Sequence, residues 1–171
     1  FATAQTLTGL ARTLQRDGES ANITKDVYFE TLQTYSNSHR RVNEDGKTVC
    51  WIDENLNPFT GDWISRTMLL AIDYKYKERG KDYNHSSFCD LVISGLVGVQ
   101  PQADGSIVIE PLIPEGEWDW FSLSRISCAG KEISVIYDRT GEHYGCKPGL
   151  TVYVDGKKTA HSETYSTSIT L

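Results

Sequence analysis

The chain has 171 residues, of which 39% are hydrophobic, 11% aromatic and 23% charged, a globular composition that can bury one sizeable core. Seventeen Lys and Arg stand against 23 Asp and Glu, for a net charge of −6. The basic residues are scattered, so nucleic acid is excluded as an expected partner, and no apolar run approaches the ~20 residues that span a bilayer, so no membrane partner is expected.

Segment 3–16 places Leu7, Leu10, Ala11 and Leu14 at helical intervals and ends at Asp17-Gly18, which predicts an amphipathic helix. Thr24 is placed to cap a second helix, which carries Val27, Tyr28, Leu32 and Tyr35 on one side, with Ile23 positioned to staple onto Tyr28. The two form a helical hairpin. Residues 39–62 read as a long polar loop with turn signals at Asp45-Gly46, Asn57-Pro58 and Thr60-Gly61, and a loop of that length is usually functional. A third helix is expected over 63–78. A fourth, capped by Ser86 or Ser87, carries Phe88, Leu91, Val92, Leu96 and Val99, with Gly95 and Gly98 serving close helix packing.

From Pro101 the hydrophobic period changes to two. Strands are expected at 107–109, 118–123, 133–137 and 150–155, with an edge strand in 163–171, and Asp155-Gly156 is the strongest hairpin signal. The fold class is therefore α+β: a helical block, 1–100, followed by a small antiparallel β domain, 101–171. The only methionine is Met68 and the chain opens at Phe1, so a processed or partial product is expected.

Cys50, Cys89, Cys128 and Cys146 are far apart and form no CxxC pair, so buried free thiols are expected in preference to a bridge. No histidine pair has metal-ligand spacing. Neither a metal nor a cofactor is expected. His39, His143 and His161 are read as lying in contexts unrelated to His85.

Chemistry concentrates in two stretches. The loop from Trp51 to Trp63 sets Asp53, Glu54, Asn55 and Asp62 between two tryptophans. Aromatic faces and carboxylates together suit sugars, and glycoside hydrolysis needs a carboxyl on each side of the scissile bond. The competing reading is a capped, solvated loop with its tryptophans in the core. The second stretch, Asp82-Tyr83-Asn84-His85-Ser86-Ser87-Phe88, offers an amide and an imidazole at a helix start. Trp118-Asp119-Trp120 is either a sugar platform or a core element.

These residues resemble a family. Trp51–Trp63, Asp82–Pro101 and Glu110-Pro111-Leu112 are similar to the C-terminal part of inverting glycoside hydrolases built on an (α/α)6 six-hairpin toroid, among them α-L-rhamnosidases, mannosylglycerate hydrolase-like and processing α-glucosidase-like enzymes, and trehalases. The resemblance implies that helices 1–100 are the last hairpins of a toroid, followed by a β-sandwich. It implies Glu54 as the general base, with Asp53 in reserve, and Trp51, Asp53, Trp63, Asn84 and His85 as residues binding the sugar. The matching general acid lies outside this chain, so the isolated chain is expected to be inactive. Expected partners are a carbohydrate substrate and the remainder of the toroid or another chain. A periplasmic or secreted setting is favoured over the cytoplasm. The alternative is a non-catalytic carbohydrate-binding or structural module.

Overall fold

The computed structural model describes residues 2–43, 45–53, 57, 63, 72 and 85–170. Helix α1 (Ala2–Asp17) buries Ala4, Leu7, Ala11 and Leu14 along one stripe, and Gly18 ends it with a positive φ, its N–H donating to the Leu14 carbonyl at 3.0 Å. Helix α2 (Lys25–Ser38) starts where Thr24 Oγ1 accepts the Val27 N–H at 3.2 Å. It packs on α1 and buries Tyr28, Phe29, Leu32 and Tyr35. Val27, expected on the apolar side, is instead exposed, and Phe29 takes the inward place.

The polar stretch after α2 is not all loop. Strands β1 (Arg40–Val42) and β2 (Thr48–Cys50) pair antiparallel around Gly46. Both are only three residues long, too short for an alternating pattern to mark them. Of the helix expected over 63–78, all but Trp63 and Ile72 lies outside the described residues.

The last helix starts as expected at Phe88, as α3 (Phe88–Asp90), and then widens into a π-helical turn, Leu91–Leu96. Ser87 makes no side-chain cap. The wider turn is held from outside: the Tyr28 hydroxyl donates to the Leu91 carbonyl at 2.8 Å, and Gly95 lies so close to that hydroxyl that a Cβ would stand 2.0 Å from it. Gly95 thus does serve close packing. Gly98 also serves a close approach, but not between helices: the helix has ended, the glycine's φ of +72° reverses the chain, and a Cβ there would stand 1.9 Å from the Glu110 carbonyl oxygen. Val99, expected on the helix, opens β3.

Seven further strands are antiparallel. β3 (Val99–Pro101), β4 (Ser106–Ile109) and β9 (Thr167–Thr170) form one sheet in the order β3-β4-β9. β5 (Trp120–Cys128), β6 (Lys131–Asp138), β7 (Gly149–Val154) and β8 (Lys157–Ser162) form a four-stranded meander. Alternation places Ile107 and Ile109 of one sheet, and Ile133, Val135, Leu150 and Val152 of the other, inside a single core. The β7–β8 turn is Asp155-Gly156 with both φ positive, as the sequence indicated. The fold is α+β: helices followed by a small β-sandwich.

The helical and β parts are sewn together at one seam. The Leu112 N–H donates to Leu96 and the Glu110 N–H to Gly98, each at 3.0 Å, and Lys25 Nζ donates to the Pro111 carbonyl at 3.1 Å. The Trp118 ring meets Phe29 edge-on at 5.6 Å. The four cysteines are free, but none is buried: Cys50 and Cys89 are exposed, Cys128 and Cys146 half-buried. Cys50 and Cys128 end strands, Cys89 sits on α3 and Cys146 in a loop, and Cys128 packs against the edge of the core. Among the described residues no helix is long and apolar enough to cross a membrane.

Candidate active site

The site is assembled from α2, the chain leaving β2, Trp63 and the residue that opens the last helical stretch, His85. Tyr35 and His39, four residues apart at the end of α2, project to one side. The β1–β2 hairpin turns the chain back so that the Trp51 N–H donates to the His39 carbonyl at 2.8 Å. Trp51, Asp53 and Trp63 are thereby buried, at 4%, 0% and 2% exposure. Trp63 Nε1 donates to the Ser38 carbonyl at 2.7 Å, and Trp51 Nε1 donates to Asp53 Oδ2 at 3.5 Å. The Arg41 guanidinium lies 4.0 Å above the Trp51 ring, a cation–π contact.

His85 is at the centre. Its Nε2 stands 2.8 Å from the Asp53 carbonyl oxygen, and its Nδ1 meets the Tyr35 hydroxyl. Trp63 and His39 pack edge-on to its ring at 5.6 and 5.5 Å. His39 also packs against Phe88 at 4.7 Å, and its buried Nε2 has no hydrogen-bond partner among the described residues. Burial, reinforced by the facing His85, holds His39 below the ordinary imidazole range. Burial alone pushes the Tyr35 hydroxyl above the ordinary phenol range, which keeps its proton on.

Four residues singled out from the sequence, Trp51, Asp53, Trp63 and His85, thus meet in space although they come from two separate stretches. Glu54 and Asn84 lie outside the described residues. Sequence reasoning missed Tyr35, His39 and Arg41. His39 does not lie in a context unrelated to His85: the two rings touch. The signal was there in the four-residue spacing of Tyr35 and His39 on α2. Trp51 and Trp63 offer almost no ring face to solvent and pack inside the cluster. Trp118 and Trp120, in contrast, are 37% and 49% exposed, and Trp120 stacks flat on His143 at 3.7 Å.

A glycoside hydrolase setting fits this fold and cluster, and comparison with known proteins supplies the class. Residues 102–161 match the C-terminal domain of glycosyl hydrolase family 65. Residues 1–86, half of the chain, match the mannosylglycerate hydrolase MGH1-like glycoside hydrolase domain. The chain belongs to the MGH1-like glycoside hydrolase family. A solved structure described as a sialidase is similar over 97% of this chain at 34% identity, with a TM-score of 0.76, and the chain spans 14% of that protein's length.

Proposed function

We propose that this chain supplies the base-bearing side of the active site of an inverting glycosidase. Glu54 is the general base that draws a proton from water. Asp53, with no exposed surface, supports the loop and is not itself open to water. Trp51 and Trp63 form the rear wall, and Asn84 lines the sugar pocket. The general acid comes from the longer protein in which a chain of this kind works, as the 14% coverage of the similar sialidase supports. Its carboxyl stands roughly 6.5–9.5 Å from that of Glu54, leaving room for the attacking water. The chain alone therefore turns over no glycoside.

The observation that carries this reading is the convergence of Trp51, Asp53, Trp63 and His85 within a segment matching a glycoside hydrolase domain. Its test is turnover of aryl glycosides by the 171-residue chain and by the longer hydrolase. The chain is expected to be silent and the longer enzyme active, with Glu54→Gln lowering kcat by at least about 10³-fold. Robust turnover by the isolated chain would overturn the division of labour.

The last hairpins of a six-hairpin toroid need a neighbour. An apolar hollow of about 260 Å³, lined in part by Phe29, Leu32, Phe88, Val92 and Trp118, is the surface we assign to the remainder of the toroid. A second reading, a carbohydrate-binding module, is favoured by one observation: the half-exposed Trp120 ring backed by His143.

A further inference from the structure

The geometry points to His85 as a positioning residue: a latch, held in its Nε2–H tautomer between the Tyr35 hydroxyl and the Asp53 carbonyl, that fixes the chain leading into Glu54 instead of touching sugar itself.

A backbone carbonyl oxygen only accepts. Its 2.8 Å contact therefore requires the proton on Nε2 of His85. In the neutral ring Nδ1 is then a lone-pair acceptor, and the group it meets is the Tyr35 hydroxyl, which donates. Burial of Tyr35, 2% exposed on α2, keeps that proton in place. Both ring nitrogens are thus engaged by the protein's own groups. Trp63 and His39 hold the ring edge-on from two further directions, which removes the rotation that would free a nitrogen for a ligand.

The result is a hydrogen-bonded line from a rigid helix to a polar loop: Tyr35 hydroxyl, imidazole, Asp53 carbonyl. Holding the Asp53 carbonyl anchors the backbone at Asp53, the residue that precedes Glu54 in the sequence. A sugar-contacting histidine, as the family resemblance implied, needs a free nitrogen. The geometry assigns this one to the loop. The functional half of this inference rests on Glu54 being the base; the tautomer half stands on geometry alone.

Long-range ¹H–¹⁵N correlation on the histidine-labelled 171-residue chain at alkaline pH tests the tautomer. The expected result is a slowly exchanging Nε2–H for His85, with Tyr35→Phe moving the Nδ1 resonance and leaving Nε2–H in place. An Nδ1–H tautomer overturns the proposal. Amide exchange tests the latch. His85→Leu, which keeps bulk but has no N–H, should speed exchange at Trp51–Asp53 about tenfold, on the scale of one lost hydrogen bond. His85→Gln, which keeps an N–H at similar reach, should restore most of that protection. Equal loss in both variants means that packing alone acts, and sinks the latch. In the longer hydrolase His85→Leu should lower kcat about 10²-fold with KM unchanged, whereas a raised KM with unchanged kcat means direct sugar contact. If Glu54→Gln leaves turnover intact while the tautomer and exchange results hold, the base assignment fails and the latch stands.

Discussion

His39 illustrates how a single side chain ties the site to pH. Its buried imidazole favours the neutral form in the folded protein. Above the ordinary imidazole value of about 6.5 neither state holds the proton, and the residue contributes nothing to pH dependence. As pH falls through that value the unfolded chain binds a proton that the native state refuses, so stability drops; below the depressed native value the two states match again and the loss levels off. Among the described residues, the titratable groups facing His39 are His85 and Tyr35. The denaturant midpoint is expected to fall between about pH 7.5 and 5.5, and His39→Gln to flatten that slope. A variant as steep as the natural protein would place the effect elsewhere. His39 escaped the sequence reading because its neighbour is 46 positions away in the chain.

At the scale of elements, legibility followed turn chemistry. Asp155-Gly156 identified its hairpin because Asp and Gly accept positive φ. The β5–β6 hairpin turns on Ala129-Gly130 with the same two positive φ values, +49° and +74°. Alanine there carries strain of about 1 kcal/mol and gives no turn signal, and the ladder breaks at a bulge between Leu123 and Ile126, so the expected strand ended at 123, five residues before β5 does. Ala129→Asn is expected to stabilise the protein by about 0.5–1 kcal/mol in urea unfolding, since asparagine tolerates this conformation; a loss of stability would contradict it. The π-helical turn was illegible for another reason. What widens it is a hydroxyl on α2, 63 residues away, and no local pattern records that. Tyr28→Phe should cost about 1 kcal/mol, with fast amide exchange appearing first in 91–97.

At the scale of the whole molecule, the order of helices before strands was readable from the change of hydrophobic period near residue 100. The seam was not, because Gly98, Glu110, Leu112 and Lys25 meet only in three dimensions. The division into 1–100 and 101–171 is best probed by asking whether the parts unfold separately. The shared seam and the single core lead us to expect one transition, with coincident far-ultraviolet circular dichroism and tryptophan fluorescence. Gly98→Ala is the sharpest perturbation. Its Cβ would stand 1.9 Å from the Glu110 carbonyl oxygen in a backbone region hostile to alanine, a loss of about 3 kcal/mol or more. Two separated transitions in the natural protein would mean that the parts are thermodynamically independent.

The β7–β8 turn also bears on how the protein ages. An aspartate followed by glycine in a slack chain cyclises through attack of the next backbone nitrogen on its carboxyl, leaving isoaspartate. Asp155 is restrained against that approach: Oδ2 takes Lys131 Nζ and Oδ1 takes the Glu132 N–H, each at 3.0 Å. Prolonged storage should therefore leave Asp155 intact, and Lys131→Ala should let isomerised peptide accumulate there, as peptide mapping by mass spectrometry would register.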